Sequence, residues 1–378
     1  MANMVDYLAW RGEFGFDITP WNEVDALLLS TLCYLTFRET DDARGCSLAE
    51  AKSLGLLEEE EGKSMFRSRK EVFSAMADTR RFENCRMHHF IAMTDEEQSM
   101  QFSAVCYDLP DDTLCIAFRG TDSTVVGWRE DMNMSLLQTV PAQIAALQYL
   151  IKAAELNERG IRLVGHSKGG NLAAYAAALA PEEIQDRILG VYSFDGPGMS
   201  PDVFESAGYQ RIVPKIYSFV PQTSIVGMLM EYHRKFTVVR SSASGMQQHN
   251  PVTWQVYGPR FETLEKLDDI SENIRAGFRR VLDASEPEER AAVLDAIFDT
   301  IESTGAVNMS DVMADKMKNL RSMIGNGKEM TPDKVKDLGR MMGQFFAAGV
   351  GNILDRRRQS SRPVTESAHD QEDDASDG

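Results

Sequence analysis

The stretch IRLVGHSKGGNLAAYAAAL, residues 161–179, reads as an apolar strand that ends in a glycine-flanked serine and passes at once into a small-residue helix. Ile161, Leu163 and Val164 form the strand pattern, and Asn171 to Leu179 continues as Ala and Leu with no break before Pro181. A serine at this junction sits on a sharp turn, with Ser167 Oγ lifted above the sheet edge and the following N–H groups aimed where an oxyanion would develop. Side chains at Gly165 or Gly169 would collide with the neighbouring strand or helix, which explains the glycines. The bare pattern G-x-S-x-G arises by chance in roughly one chain in ten of this length. The flanking strand and helix therefore carry the assignment.

Outward from this unit, strands are predicted at 101–109 (QFSAVCYDL) and 113–118 (TLCIAF), joined by the turn Pro110-Asp111-Asp112. Further strands are expected at 190–194 (GVYSF), 215–220 (KIYSFV) and 235–240 (KFTVVR), with a helix over 141–156. Strands alternating with helices imply an α/β fold, a mostly parallel central sheet with helices on both faces. At the N-terminus an aromatic lead (Tyr7, Trp10, Phe14, Phe16) precedes a helix expected from Pro20 with Thr19 as its cap, and 47–80 reads as charged helices. Beyond Phe261 the pattern becomes helical, with Leu264, Leu267, Ile270, Ile274, Phe278 and Val281 three or four apart. Ser285 with Glu288 forms a capping box, Thr331-Pro332 starts another helix, and a methionine stripe runs from Met309 to Met342. The expected organisation is a catalytic-type domain over 1–261, a helical extension over 262–355 and a disordered acidic tail over 356–378.

The chain has 378 residues, 40 basic and 58 acidic, for a formal charge of −18. That balance argues against nucleic acid or an anionic membrane as partner. Five cysteines, at 33, 46, 85, 106 and 115, follow no metal-ligand spacing and read as reduced core residues, so neither a metal nor a cofactor is expected. No signal peptide and no run of 18 apolar residues is visible, which predicts a cytoplasmic protein without membrane insertion.

A serine needs a base. Of six histidines, His166 lies inside the elbow and is expected to pack away from the reacting face, His88 and His89 come before the serine, and His369 is in the tail. His249 follows a strand and the loop SSASGMQQH, the usual way a base reaches the C-terminal sheet edge; His233 is the other candidate. For the acid, Asp195 ends GVYSF at the edge where such sheets bind ligands, although an Asp there also caps turns.

FRGTDSTVVGWREDM (118–132), GHSKGGNLA, SFDGPG and the late pair His249 and Trp254 together resemble the class 3 lipase group of α/β hydrolases. DYLAWRG (6–12), VPQTSIVGML and QHNPVTWQV resemble a bacterial lipase-like branch of that group. Over about residues 1–260 the resemblance implies an α/β-hydrolase fold with Ser167 as nucleophile, His249 as base and the Thr121 and Lys168 backbone N–H groups as oxyanion site. Trp128 and Asp131 would hold the oxyanion loop. The chain departs from the group twice: Lys168 stands where an apolar residue is usual, which puts a greasy substrate in question. Gln222 and Thr223 occupy the loop where the acid is usual, which leaves Asp195 to substitute.

Two function classes follow. One is a serine hydrolase cleaving carboxylic, lipid or acyl, esters through an acyl-enzyme on Ser167. The other is a catalytically impaired scaffold, with the helices after 261 as the surface for a protein partner.

Overall fold

The strand that carries the elbow is the fifth of nine in one sheet, and its neighbours follow the chain in order. The computed structural model describes residues 2–38, 45–58, 64–121, 124–136, 139–230 and 235–269, with a few positions between 271 and 295. The strands are β1 (Cys46–Ser47), β2 (Arg86–Asp95), β3 (Met100–Asp108), β4 (Leu114–Phe118), β5 (Ile161–His166), β6 (Ile188–Phe194), β7 (Ile216–Pro221), β8 (Thr237–Val239), β9 (Val256–Tyr257), β10 (Arg260–Phe261) and β11 (Thr263–Leu264). The sheet order is β1-β2-β3-β4-β5-β6-β7-β8-β11, while β9 and β10 pair as a separate hairpin. From β4 to β8 the pairs are parallel; β1 to β4 and the β8/β11 pair are antiparallel.

A parallel run that advances in one direction must place its right-handed crossover helices on one face. The first seven helices in order are α1 (Met4–Arg11), α2 (Glu23–Leu32), α3 (Leu48–Ser53), α4 (Ser64–Ala77), α5 (Val125–Leu136), α6 (Pro141–Glu155) and α7 (Lys168–Leu179). Side chains alternate across the sheet accordingly. Leu114, Ile116, Phe118 and Leu163 pack with Ala142, Ala146 and Leu150 of α6 and with Leu172, Ala173 and Ala176 of α7. Cys115, Ala117 and Val164 face the other way, onto Leu27, Leu28 and Leu32 of α2 and Val72 and Met76 of α4. The crossovers leave this second face to the N-terminal helices, giving the mostly parallel α/β-hydrolase fold expected from the sequence. Arg81 locks that layer: its fully buried guanidinium donates to both oxygens of Asp25 at 2.8 and 2.5 Å, and Tyr7 donates to the same carboxylate at 2.8 Å.

The structure corrects the local reading at three places. Helix α2 starts at Glu23 with Asn22 as its cap, not at Pro20 with Thr19. Asn22 and Asp25 form a reciprocal capping box, and the Thr19 carbonyl accepts from Arg81 instead. His88 and His89 lie within a strand, β2, that flanks the predicted pair. Leu264, read as the first rung of a helix, pairs in β11 with Val238 of β8. The His233 alternative, the Ser285 cap, the Thr331 helix, the Met309 to Met342 stripe and the tail from Arg356 lie outside the described residues. All five cysteines are free thiols, four of them buried. Among the described residues no helix is long and apolar enough to cross a membrane.

Candidate active site

Ser167 stands between β5 and α7 with φ 59° and ψ −134°, a backbone conformation that ordinary residues avoid. Such strain costs on the order of 1–3 kcal/mol and persists only where the surroundings fix it. Here the Ser167 N–H donates to the Phe194 carbonyl at 2.9 Å. A Cβ at Gly165 would run into the Gly169 carbonyl, and one at Gly169 into the Phe118 carbonyl. The glycines thus let helix α7 close directly onto β4 and β5.

Asp195 follows β6 with φ 47° and is 1 % exposed. Its Oδ2 lies 2.6 Å from His249 Nδ1, and its Oδ1 accepts from Ser224 Oγ at 2.5 Å and from the Gly227 N–H at 3.2 Å. A carboxylate only accepts, so Nδ1 carries a proton, and Nε2 is the nitrogen with the lone pair in the neutral imidazole. The segment directly after β7, Gln222-Thr223-Ser224, has no acid and supplies a hydroxyl to the carboxylate that follows β6.

His249 ends a short 3-10 turn, Gly245–His249, that is braced from three sides. Gln248 Oε1 accepts from the Thr223 N–H and Gln248 Nε2 donates to Thr223 Oγ1, both at 2.9 Å. Trp254, fully buried, donates from Nε1 to the Gln248 carbonyl at 2.7 Å. His166 Nε2 donates to the His249 carbonyl at 2.7 Å, and the two imidazoles lie 4.5 Å apart. His166 therefore does not turn away from the site as its place in the elbow suggested. Burial, then the neighbouring His249 ring, push its pKa well below the usual histidine value. It is neutral, with Nδ1 left to accept from the Tyr34 hydroxyl at 3.1 Å. Among the described residues no hydrogen bond joins the Ser167 hydroxyl to His249; contacts of this kind often close only around a substrate.

The oxyanion candidates flank the serine. A Cβ on Gly120 would sit 3.0 Å from Ser167 Cβ and 2.6 Å from the His166 carbonyl, so the Arg119-Gly120-Thr121 loop rests on the elbow. Thr121 Oγ1 donates to Asp131 Oδ2 at 2.5 Å, which ties that loop to α5. Lys168 begins α7, where the first N–H groups have no intrahelical partner. Its side chain runs away from the serine: Nζ, fully buried, donates to Glu130 Oε2 at 2.9 Å, to the Gln101 carbonyl at 2.7 Å and to Gln101 Oε1 at 3.1 Å. Glu130 also accepts from the N–H groups of Gln101 and Ala142 at 2.9 Å each. The expected conflict between Lys168 and an apolar substrate is removed, because the ammonium belongs to a buried ion pair behind the elbow.

Sequence reasoning brought Ser167, Asp195, His249, Thr121 and Lys168 to one sheet edge but missed Ser224, Gln248, Glu130 and the bracing role of His166. The signal for Glu130 was present in WREDM, where two acids stand side by side and only Asp131 was singled out. The described residues that could jointly hold a metal ion are His88, His89 and Cys106, on β2 and β3 rather than beside Ser167.

A family model described as Mbeg1-like matches residues 76–299. A solved structure titled "Crystal structure of M37 lipase" is similar at 16 % identity and a TM-score of 0.35, covering 55 % of this chain and 69 % of that one. No curated protein matches the chain.

Proposed function

The chain belongs to the Mbeg1-like family, a lipase-like family, and from that premise we propose that it is a serine hydrolase of carboxylic, lipid or acyl, esters. The observation that carries the reading is the 2.6 Å contact between the buried Asp195 carboxylate and His249 Nδ1, at the sheet edge that also bears the strained Ser167.

Ser167 Oγ attacks the ester carbonyl carbon while His249 Nε2 takes the hydroxyl proton. Asp195 holds the Nδ1–H and stabilises the imidazolium that forms. The tetrahedral oxyanion accepts from the backbone N–H groups of Lys168 and Thr121, worth about 3 kcal/mol for each well-placed donor. Collapse of this intermediate breaks the bond to the alcohol oxygen, which leaves with the proton from His249. Water, deprotonated by the same imidazole, then releases the acid and returns the proton to Ser167. No metal or cofactor is called for in these steps.

The scaffold alternative rested on the lack of an acid directly after Val220 and on the acidic tail. Ser224 of the segment after Val220 donates to Asp195, so the missing acid no longer favours an impaired site. The test is turnover of p-nitrophenyl butyrate by the full chain. Activity lost in Ser167→Ala and His249→Ala supports the proposal; activity unchanged in Ser167→Ala, or none in the native chain across ester lengths, overturns it.

A further inference from the structure

Two histidines that the hydrolase chemistry does not use face a buried thiol across the β2/β3 ladder. His88 stands directly opposite Cys106 in the antiparallel register. The register then shifts between His88 and Ile91, and His89 takes φ 52°. A bulge of this kind re-aims a side chain, and strained backbone gathers at sites that use it. The outcome is that the His88 and His89 Nδ1 atoms approach to 2.5 Å, and one ring nitrogen of each histidine and Cys106 Sγ all lie within 4.8 Å of one another.

The proton positions sharpen the geometry. His88 Nε2 lies 2.9 Å from Asp108 Oδ1, and Asp108 is itself held by Arg159 at 2.5 Å. Because a carboxylate only accepts, His88 carries a proton on Nε2, and its neutral ring turns the Nδ1 lone pair toward His89. An acid behind a histidine that fixes its tautomer in this way is the usual outer support of a metal ligand. Tyr149 donates to the His89 carbonyl at 2.7 Å and lies 3.4 Å from Cys106 Sγ, so one α6 side chain braces the other two donors. A cavity of about 490 Å³ lined by His88, His89, Cys106 and Asp108 opens beside them and gives an ion a path and room for a water.

We propose that His88, His89 and Cys106 bind a zinc-class divalent ion, separate from the Ser167 site, with a water as fourth ligand. Two imidazoles and a thiolate suit such a borderline-soft ion rather than calcium or magnesium. Tetrahedral zinc, with bonds of about 2.0–2.3 Å, holds its donors roughly 3.3–3.7 Å apart. The two nitrogens, 2.5 Å apart in the structure, open to reach that spacing. Cys106 releases its thiol proton to solvent on binding. Cysteine spacing gave no hint of this because the donors meet through strand pairing, not along the chain.

The test is a Co2+ titration of chelator-stripped full-length protein. The proposal expects one equivalent bound, a thiolate-to-cobalt charge-transfer band in the near ultraviolet, and displacement by Zn2+. Cys106→Ser should abolish the band while Cys46→Ser leaves it, and Asp108→Asn should weaken binding roughly 10- to 100-fold. His89→Ala, at an exposed position and so least disruptive to folding, should weaken it at least tenfold, with near-native circular dichroism confirming the fold. Absence of the band in native protein, its survival in Cys106→Ser, or cobalt affinity unmoved in folded His89→Ala overturns the proposal. The two imidazoles then merely share a proton. Ester turnover at Ser167 is read separately, so failure here leaves the hydrolase reading standing and the reverse.

Discussion

Replacing Lys168 by methionine removes the ammonium of the residue that follows Ser167 without touching its backbone N–H. If Lys168 faced substrate, the change would alter selectivity and leave stability alone. The structure puts Nζ in a fully buried cage formed by Glu130 Oε2 at 2.9 Å, the Gln101 carbonyl at 2.7 Å and Gln101 Oε1 at 3.1 Å. Removing one member of a buried ion pair strands the other, which costs about 3–5 kcal/mol. Glu130 keeps the Gln101 and Ala142 N–H donors, so the loss belongs at the lower end, about 3 kcal/mol. The double variant Lys168→Met/Glu130→Gln removes both members of the Glu130 pair, leaving Asp131 Oδ1, 4.0 Å from Nζ, as the carboxylate that still loses the ammonium, and should recover about 1–2 kcal/mol relative to the sum of the single changes. Urea unfolding followed by tryptophan fluorescence reads these values, provided the denaturant slope is unchanged between variants. A loss below about 1 kcal/mol for Lys168→Met, or strict additivity in the double variant, would refute the buried pair.

Asp195→Asn removes the carboxylate that fixes the His249 tautomer and should lower kcat on p-nitrophenyl butyrate by about 10⁴-fold; an effect under about tenfold moves the acid elsewhere. His166 has a folded pKa below its unfolded value of about 6.5, so under that pH the unfolded chain binds a proton the native chain does not. Its share of stability is therefore full above about pH 6.5 and falls as pH drops, by up to about 1.4 kcal/mol per pH unit until the folded group titrates. Unfolding free energies from about pH 7.5 to 5 should fall less steeply in His166→Gln, and parallel curves would contradict the assignment. Gly120→Ala adds a methyl 2.6 Å from the His166 carbonyl and 3.0 Å from Ser167 Cβ. It should destabilise by about 1–3 kcal/mol and cut turnover, and an unchanged enzyme would mean the loop does not rest on the elbow.

The elbow was legible because a buried parallel strand is a continuous apolar run and the helix after it is nearly all alanine and leucine. The same signals put β4 and α6 within a residue of their predicted bounds, at Leu114–Phe118 and Pro141–Glu155. The contact between Asp195 and His249 was reachable from chain order, since this fold brings residues that follow later strands to one sheet edge. Long polar side chains defeated the reading. Adjacency to Ser167 says nothing about where four methylenes carry an ammonium, and Lys168 proved to point into the protein. Edge elements failed for another reason: β2 carries two histidines and leaves Phe90 and Met93 exposed near the sheet margin, and β11 pairs Leu264 with β8 although its spacing to Leu267 is helical. Ser224 and Gln248 act only through partners far along the chain, Asp195 and Thr223, so no local pattern marks them.

The central claim is that Ser167 is an activated nucleophile, and a fluorophosphonate reagent reads that state directly. Native protein should gain one covalent adduct that peptide mass spectrometry maps to Ser167, with labelling lost in Ser167→Ala and strongly slowed in His249→Ala. A folded native chain that stays unlabelled, or an adduct that persists in Ser167→Ala, would contradict the account.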